Sequence, residues 1–476
     1  MNHPSLYRGQ QVVVLGLAKS GVSAAKVFHA LGAKVVVNDK KTREQCPEAG
    51  ELEAAGIAVI CGSHPDDLIT EATALVVKNP GIPYQAPPVQ QALNLGIEVV
   101  TEVEVAYALS PAPMIGITGS NGKTTTTTWI GELLQAAGLS PIVAGNIGTP
   151  LCEAATRAEA SQWIVAELSS FQLKGTGSFR PKVAVLLNLA ETHLDYHGSM
   201  EDYVASKAKL FSNMTPEDTA VLNWDDPICR ELAAGVKAKL LPFSLTQRLE
   251  QGGAYIEPPY PADAGEAGDA ERKVVYRDSE GVVHELVPVS ELGIPGRHNA
   301  ANALAAVAAS LAAGASVEKL SRPLREFRSV EHRLELVCTK NGITFYNDSK
   351  ATNPTATTMS VGSLQGGIIL IAGGLDRGSD YMELLPLFQK RVKGLVVLGQ
   401  TREKLARVAE LAGLASVIIV EPEEVADDTL RAAVSRAAAI AEPGDTVLLS
   451  PACASWDMFA SYEQRGRIFK DSAHTL

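Results

Sequence analysis

The chain has 476 residues, and at roughly 100–200 residues per domain this length predicts two to four domains. Hydrophobic residues make up 46% and charged residues 20%, as in ordinary globular proteins, which excludes a mainly disordered or fibrous protein. The 42 basic and 54 acidic residues give a net charge of −12, which argues against a general binder of nucleic acids or anionic membranes.

No apolar run reaches the roughly 18 residues that span a bilayer, and the first residues lack the apolar stretch of a signal peptide. We therefore expect a cytoplasmic protein without a membrane span.

Six cysteines are scattered along the chain without any Cys-x-x-Cys pair, which does not match a zinc site. Because a chain of this length can bury a core without disulfides, we expect six reduced thiols, most of them buried.

Short apolar runs alternate with helical patterns along most of the chain, which is typical of parallel sheets built from βα units. The first block, residues 1–102, begins with a strand at 11–15, a glycine turn and a helix at about 21–31. Further strands of this block are predicted at 33–38, 58–60, 74–77 and 98–100.

The second block, residues 103–329, has predicted strands at 114–118, 163–167, 183–188 and 219–223, a β excursion at 250–285 and an alanine-rich helix at 298–314. The third block, residues 330–476, has predicted strands at 367–372, 395–398, 416–420 and 446–449. We therefore expect an α/β protein of three domains in series, with these three blocks as the domains.

The strongest single motif is Thr118–Thr125 (TGSNGKTT), between a predicted strand and a helix. In such a loop glycines let backbone N–H groups close around phosphate oxygens, and the following helix N-terminus adds positive potential. Lys123 can neutralise phosphate charge, and Thr124 has the hydroxyl expected on Mg²⁺. The match to G-x-x-x-x-G-K-[ST] is imperfect, because Ile117 occupies the first glycine position and Gly116 precedes it. The motif predicts nucleoside triphosphate binding, with a structural turn as the alternative.

A second glycine turn, Gly16–Gly21, follows the first strand, and Asp39 ends the next strand. This pattern is similar to a dinucleotide-binding fingerprint, in which an acid about 20 residues on meets a ribose hydroxyl. Ala18, however, stands where a second glycine would let a pyrophosphate approach. A plain βα turn stays open as the alternative, and a UDP group could use the same helix terminus. Residues 78–83, at a later strand end, could line the same cleft.

Acids and a histidine follow two strands of the second block. Glu167 ends the strand at 163–167, and His193 follows the strand at 183–188. One carboxylate together with nucleotide phosphates makes a natural Mg²⁺ site, whereas histidine is a less usual ligand. The pattern favours Glu167 and His193 as metal ligands, and an ordinary surface histidine is the alternative for His193.

In the third block, Arg333 and Lys350 lie in segments rich in hydrogen-bonding and cationic groups, which could act on a γ-phosphate and an acyl oxygen. Residues 448–457 read as a strand that runs into a turn of small residues and a helix. The free N–H groups of a helix N-terminus suit a carboxylate, although a simple βα connection has equal weight.

In this order the motifs resemble those of the Mur ligase family, over essentially the whole chain. The segments that carry the resemblance are 118–125, 167–173, 298–302, 332–333, 347–353 and 450–455. The last two are typical of the branch that adds D-glutamate. The resemblance implies a Rossmann-like UDP-binding domain, a central P-loop ATPase-type domain and a C-terminal Rossmann-like domain that binds the incoming amino acid.

The implied reaction is ATP-dependent amide formation in the synthesis of peptidoglycan precursors. D-glutamate would be added to the L-alanine carboxylate of UDP-N-acetylmuramoyl-L-alanine, through an acyl-phosphate intermediate. ATP would be a substrate, and two Mg²⁺ ions would be the cofactors. We expect only small-molecule partners, no nucleic acid and a monomer.

The resemblance also implies roles for individual residues. The implied catalytic residues are Lys123, His193, Lys207 and Lys350. The implied ATP-binding residues are Gly119, Ser120, Asn121, Gly122, Lys123, Thr124, Thr125, Asn299, Asn302, Arg333 and Asp348. The implied UDP-sugar-binding residues are Gly16, Leu17, Ala18, Lys19, Ser20, Asp39, Asn79, Gly81, Asn146 and His193. The implied D-glutamate-binding residues are Thr352, Arg377, Ser455 and Tyr462, and the implied metal ligands are Thr124, Glu167, His193 and carbamylated Lys207.

Three of these residues stand out from their pattern. From sequence alone, Lys207 reads as an exposed helix lysine. Arg377 stands where the family usually has lysine, and Tyr462 where it often has phenylalanine. Both could keep the role, but the guanidinium fork differs from an ammonium in geometry.

Three alternatives stay open. Another amino-acid-adding Mur ligase, or a folylpolyglutamate synthase, would share the fold. An NAD-dependent dehydrogenase would account for Gly16–Gly21 and Asp39 but leaves Thr118–Thr125 unexplained. A regulatory nucleotide-binding module without turnover would also keep the phosphate loop.

Overall fold

The computed structural model describes residues 1–191, 194–261, 271–328, 330–364 and 366–476. Within these ranges the chain forms three sheets and divides into two compact units. The larger unit comprises Met1–Glu291 and Ala301–Arg325, and the smaller comprises Leu292–Ala300 and Glu326–Leu476. The expected three-domain boundaries after residues 102 and 329 stay a prediction. In the described ranges no helix combines the length and apolar character that crossing a bilayer requires.

The first sheet of the larger unit is wholly parallel. Its strands are β1 (Gln11–Leu15), β2 (Lys34–Asp39), β3 (Ala58–Cys61), β4 (Thr73–Lys78) and β5 (Val99–Val100). The helices are α1 (Lys19–Ala30), α2 (Glu48–Ala54), α3 (Pro87–Asn94) and α4 (Glu102–Leu109). The strand order is β3-β2-β1-β4-β5, and Val12, Val13 and Val14 of β1 are all fully buried. Helices and loops cover both faces of a parallel sheet, which is why its strands are continuous apolar runs, as predicted.

The second sheet of the larger unit is longer and mixed. Its strands are β6 (Met114–Thr118), β7 (Ser140–Gly145), β8 (Gln162–Glu167), β9 (Val183–Leu186), β10 (Thr219–Asn223), β11 (Lys239–Ser244), β12 (Gly253–Glu257), β13 (Lys273–Arg277) and β14 (Val283–Pro288). The strand order is β14-β13-β12-β11-β10-β9-β6-β8-β7, and β12, β13 and β14 pair antiparallel. This confirms the predicted β excursion. The edge strand β7 was not predicted, because Pro141 and its partly exposed residues weaken the apolar signal.

The helices that follow α4 and precede β15 are α5 (Lys123–Ala137), α6 (Leu151–Arg157), α7 (Ser170–Lys174), α8 (Leu194–His197), α9 (Met200–Ala208), α10 (Pro227–Ala233), α11 (Arg297–Ala312) and α12 (Ser321–Glu326). Most of the alanines of α11 are buried, which confirms the close packing that its composition predicts.

The sheet of the smaller unit comprises β15 (Glu335–Lys340), β16 (Ile343–Asn347), β17 (Ile368–Gly373), β18 (Val392–Leu398), β19 (Val417–Ile419) and β20 (Thr446–Leu449). Its further helices are α13 (Pro354–Gly362), α14 (Leu385–Arg391), α15 (Arg402–Leu411), α16 (Ala426–Ile440) and α17 (Tyr462–Thr475). The strand order is β15-β16-β20-β17-β18-β19, in which the edge strand β15 is antiparallel to its neighbour.

One detail of this sheet differs from the sequence expectation. The helix expected directly after the small-residue turn begins only at Tyr462, so a loop follows β20. Ala452 has a left-handed backbone with φ of +59°, and the Ala454 carbonyl accepts a hydrogen bond from the Leu375 amide at 2.9 Å. These features hold the segment as a loop against the turn after β17, where helix formation would remove both.

All six cysteines are free, and Cys46, Cys152, Cys229 and Cys453 are buried, which confirms the expectation of reduced, mostly buried thiols. Burial raises the pKa of the Cys453 thiol, which lies 3.3 Å from the Tyr381 hydroxyl. The Cys453 thiol is therefore a packing group.

Helix α4 begins with a buried carboxylate. Glu102 is 2% exposed, and its Oε1 accepts a hydrogen bond from the Cys152 amide at 2.9 Å. Burial raises the pKa of this carboxyl to about 7, against the hydrogen bonds of the α6 amides, which lower it. The folded state therefore binds this proton more tightly than the unfolded state does.

We predict that Glu102→Gln stabilises the protein at alkaline pH. Because the pKa of Glu102 is raised in the folded state, protonated Glu102 contributes its full stability below the unfolded-state pKa of about 4.3. This contribution is lost as the pH rises through the folded-state pKa of about 7. Glutamine keeps the acceptor without the charge, so its advantage over wild type should grow by about 2 kcal/mol between pH 5 and pH 8. Chemical denaturation at both pH values measures it, and an advantage independent of pH would contradict this account.

Candidate active site

The glycine turn after β1 meets the ends of the neighbouring strands β2 and β4. The Leu17 amide donates to Asp39 Oδ2 at 2.9 Å, and the Ser20 hydroxyl donates to Asn79 Oδ1 at 2.5 Å. Gly16 has φ of +98°, and a Cβ there would lie 2.5 Å from Asn79 Nδ2. Only glycine therefore fits this turn, and the structure brings most of the expected UDP-sugar residues together at one edge of the sheet.

The rest of the expected UDP-sugar set lies in several places. Ala18 is the N-cap of α1 and Lys19 its first residue, while Gly81 lies in the turn after β4. Asn146 follows β7 in the other sheet of this unit, and its Nδ2 donates to Glu167 Oε1 at 2.9 Å. His193 lies outside the described residues.

The loop after β6 is held in place by Gly122 and Asn188. Gly122 has φ of +81° and caps the start of α5, and a Cβ there would lie 2.3 Å from Asn302 Oδ1. The Ser120 amide donates to the Asn188 carbonyl at 2.9 Å, and the Asn121 amide donates to Asn188 Oδ1 at 2.8 Å. Sequence reasoning did not assign Asn188 a role, although its place directly after β9 was a signal.

The expected ATP residues occupy this loop and four positions outside it, which are Asn299, Asn302, Arg333 and Asp348. Lys123 Nζ donates to the carbonyls of Gly119 at 2.8 Å and Ser120 at 2.9 Å. Thr124 and Thr125 are buried in the first turn of α5. Asn299 is buried and donates to the Pro295 carbonyl at 2.6 Å within the smaller unit.

Glu167 ends β8 beside this loop and is 1% exposed. Its Oε1 accepts from Asn146, whereas its buried Oε2 has no hydrogen-bond partner among the described residues. A buried carboxylate oxygen without a partner is costly unless a cation or donor joins it. A carboxylate oxygen of this kind is, like a threonine hydroxyl, a hard oxygen donor of the type that Mg²⁺ prefers.

Lys207 is 1% exposed, so reading it as an exposed helix lysine was wrong. Its Nζ donates to the Gly119 carbonyl at 2.9 Å and lies 3.1 Å from Thr118 Oγ1. One turn earlier on α9, the Tyr203 hydroxyl lies 2.8 Å from Ser120 Oγ. The i, i+4 face of α9 therefore packs on the phosphate loop, which no pattern in the α9 sequence indicates.

Burial, and secondly the positive charge of Lys123, lower the pKa of Lys207 well below its usual value, while the Glu167 carboxylate opposes this shift. A lysine with a lowered pKa spends more time as the neutral amine, which is the nucleophilic form.

In the smaller unit, Asp348 follows β16 and is buried. Its Oδ1 accepts from the Leu334 amide at 3.1 Å, and its Oδ2 accepts from the Ser450 hydroxyl at 2.7 Å. Burial raises the pKa of Asp348 to about 6, while these hydrogen bonds and the Arg333 charge lower it. Lys350 Nζ lies 5.1 Å from the centre of the Tyr462 ring. The structure thus brings the residues expected to act on nucleotide and amino acid close together in this unit.

Three of the expected D-glutamate residues lie on loops at the carboxyl ends of β16, β17 and β20, and Tyr462 is the first residue of α17. Thr352 precedes α13, and Ser455 is buried in the loop after β20. The Arg377 guanidinium lies 5.2 Å from the centre of the Trp456 ring, which is 66% exposed. A cation above an indole face is a favourable contact that a planar guanidinium makes well. Sequence reasoning missed Trp456, although it directly follows Ser455.

Sequence reasoning also missed Arg465, the fourth residue of α17. Its buried guanidinium donates to the Ser349 carbonyl at 2.8 Å and to the Cys453 carbonyl at 3.2 Å. It therefore joins the loop after β16 to the loop after β20. An arginine inside an amphipathic helix carries no sequence signal for such a role.

Family models match three successive parts of the chain. They are the Mur ligase MurD-like N-terminal domain at residues 10–101, the Mur ligase middle domain at 117–310 and the Mur ligase glutamate ligase domain at 332–453. A UDP-N-acetylmuramoylalanine–D-glutamate ligase from Geobacillus sp. strain WCH70 is 48% identical over 100% of both chains. The protein of that name from Listeria innocua is 45% identical over 100% of this chain and 99% of its own.

Solved structures of related ligases share the fold at lower identity. The UDP-N-acetylmuramate-alanine ligase from Thermotoga maritima is 19% identical over 98% of this chain and 99% of its own, with a TM-score of 0.59. MurF from Acinetobacter baumannii is 17% identical over 100% of this chain and 93% of its own, with a TM-score of 0.60. The chain belongs to the Mur ligase family, and it is an ATP-dependent ligase.

We predict that Gly122→Ala weakens ATP binding by about 10-fold or more, because a Cβ would meet Asn302 and the left-handed backbone would be strained. Gly138→Ala is the matched control, because Gly138 caps the other end of α5 with φ of +84° and has only Lys319 Nζ near its Cβ position, at 3.9 Å. Both variants should lose about 1 kcal/mol of stability, but only Gly122→Ala should lose ATP affinity. Equal ATP affinities by calorimetry would show that the loop geometry does not matter for binding.

Proposed function

We propose that this chain adds D-glutamate to the L-alanine carboxylate of UDP-N-acetylmuramoyl-L-alanine, with ATP as the energy source, in peptidoglycan precursor synthesis. The names of the 44–48% identical relatives support the substrates. The observation that carries the chemistry is the phosphate loop with Lys123, Lys207 and Glu167 gathered at it. The proposal includes a monomer that acts in the cytoplasm.

In this proposal the loop Gly119–Thr125 holds the ATP phosphates. Lys123 Nζ, which donates to two loop carbonyls, would turn to the β- and γ-phosphates. Asn302 lies beside Gly122, which supports a contact with the nucleotide. Asn299, Arg333 and Asp348 would complete the nucleotide contacts.

Two Mg²⁺ ions would be held by Thr124, Glu167, His193 and carbamylated Lys207. The unpartnered Glu167 Oε2 supports this set. When bound, Mg²⁺ screens the repulsion between a substrate carboxylate and the γ-phosphate. Asn146, which donates to the other Glu167 oxygen, would orient the carboxylate and reach the muramoyl part of the substrate.

Carbamylation would form a bond between Lys207 Nζ and the carbon of CO₂, with release of a proton. Only the neutral amine can react, and the lowered pKa of Lys207 favours that form. The product is an anion, which reverses the sign of the charge beside Lys123. This would convert a repulsive pair of cations into an attractive pair.

The reaction would run in two steps. An oxygen of the L-alanine carboxylate attacks the γ-phosphorus, and ADP leaves, which gives an acyl phosphate. The neutral amine of D-glutamate then attacks the acyl carbon, and the tetrahedral intermediate collapses with loss of phosphate and formation of the amide. Lys123 and Lys350 would stabilise the developing negative charge. Thr352, Arg377, Ser455 and Tyr462 would orient D-glutamate.

We predict that phosphate release from ATP requires UDP-N-acetylmuramoyl-L-alanine and D-glutamate together. The assay includes magnesium and compares D-glutamate, L-glutamate, other amino acids and no amino acid. Release with a different amino acid would leave the ligase mechanism intact and overturn the D-glutamate assignment. Absence of release in every combination would favour a nucleotide-binding module without turnover.

We also predict that activity depends on CO₂ through Lys207. Wild-type protein in CO₂-free buffer should lose most of its activity and regain it when bicarbonate is added. Lys207→Gln should be slower by about 100-fold or more, because a ligand is lost, and should not respond to bicarbonate. An equal bicarbonate response in both proteins would contradict the role of Lys207.

A further inference from the structure

Lys78, the last residue of β4, is a buried cation outside the phosphate site. It is 1% exposed, and its Nζ donates to the carbonyls of Ile82 at 2.8 Å, Pro80 at 3.3 Å and Asn79 at 3.4 Å. The Tyr196 hydroxyl lies 3.5 Å from the same atom. Within the described part of the chain, no carboxylate oxygen lies within ion-pair distance of Lys78. Backbone and hydroxyl oxygens therefore solvate this ammonium.

A buried ammonium without a carboxylate is expensive, so stability alone does not account for Lys78. Its Nζ also lies 4.7 Å from the centre of the Tyr84 ring, which offsets part of the desolvation. Burial, and secondly the charge of Lys174, lower its pKa to about 8. An apolar side chain of similar length would remove this cost.

All three carbonyls that accept from Lys78 belong to the turn that follows β4. The same turn carries Asn79, whose side chain accepts from Ser20 and fills the space beside Gly16. The Asn79 amide donates to the Leu15 carbonyl at 2.8 Å, so backbone and side chain both fix it against the glycine turn. The turn that Lys78 binds is therefore the turn that presents Asn79 to the glycine turn.

The opposite side of the turn is tied to α8. The Tyr196 hydroxyl donates to the Pro80 carbonyl at 3.1 Å, and its ring lies edge-on to Phe171 of α7, with 4.5 Å between ring centres. Helix α8 follows His193 directly in the sequence, and α7 follows Glu167 by three residues. The turn that holds Asn79 is thus in contact with the elements that flank the expected metal ligands.

We propose that Lys78 is a positioning residue for the UDP-sugar. Its ammonium binds the carbonyls of the turn at 79–82 and fixes the shape of this turn. This arrangement holds Asn79 against the glycine turn and connects the turn at 79–82 to α8. This inference rests on the proposed function, because that proposal assigns UDP to the glycine turn. It adds a residue whose side chain would contact neither the UDP group nor ATP.

The test measures binding of UDP itself by calorimetry, to the full-length protein. Lys78→Met should weaken UDP binding by about 10-fold while ATP affinity stays within about two-fold and the melting temperature does not fall. Lys209→Met is the matched control. Lys209 Nζ likewise donates to backbone carbonyls, those of Lys174 at 2.7 Å and Thr176 at 2.9 Å, but none of them belongs to the UDP turn. Its UDP affinity should equal that of wild type.

The pH dependence separates positioning by the ammonium from simple packing. Above pH 8 the neutral amine has one N–H fewer to donate, so the ratio of dissociation constants between Lys78→Met and wild type should shrink between pH 7 and pH 9. Titration of UDP cancels in this ratio, and the titratable groups that face Lys78 are Lys174, Tyr84 and Tyr196. Burial raises the pKa of Tyr84 and raises that of Tyr196 to about 12.

Tyr196→Phe removes only the hydroxyl and provides a second variant if Lys78→Met fails to fold. It should weaken UDP binding by less than Lys78→Met does. Unchanged UDP affinity in Lys78→Met, or in Tyr196→Phe if that is the variant that folds, would overturn this inference alone. Wild-type protein that does not bind UDP at all would overturn the proposed sugar-nucleotide site and this inference with it.

Discussion

The structure depends on the phosphate loop, whose backbone is held in place by its glycines, by Asn188 and by Lys207. Gly119 and Gly122 have backbone angles that favour glycine, and Asn188 pairs with the amides between them. Lys207 on α9 donates to the Gly119 carbonyl, so the loop is tied to a helix that comes more than 80 residues later in the chain. A loop fixed in this way needs no large rearrangement when phosphate groups arrive.

Two lysine side chains meet at this loop. Lys123 and Lys207 both donate to the Gly119 carbonyl, and Glu167 is the acid that influences Lys207. Two close cations in a buried site repel each other, and this repulsion adds to burial, the larger cause, in lowering the pKa of Lys207. The phosphate groups of ATP would relieve this repulsion, and carbamylation of Lys207 would remove it. The electrostatics of the loop therefore favour the ligands that the proposed reaction supplies.

Sequence patterns predicted the fold well because parallel strands buried on both faces leave continuous apolar runs, as in β1 and β17. They also predicted that glycine turns and polar residues follow the strands, and the structure has such segments at the carboxyl ends of β1, β6 and β20. They could not predict the burial of Lys207, because that depends on which face of α9 meets the phosphate loop. Trp456 and Arg465 were missed for the same reason, since their partners lie on other loops. The segment 78–83 was expected to line a cleft, but the burial of Lys78 depends on how the turn after β4 folds back onto its ammonium. The roles of the individual site residues stay predictions, and His193 lies outside the described residues.

We propose that ATP bound at the phosphate loop activates the L-alanine carboxylate as an acyl phosphate. Substrate labelled with ¹⁸O in both oxygens of the L-alanine carboxylate tests it most directly. In the proposed route one carboxylate oxygen stays in the amide and the other leaves with phosphate, so mass spectrometry should find one ¹⁸O atom in each phosphate released. Phosphate free of ¹⁸O, formed together with the amide product, would contradict the account.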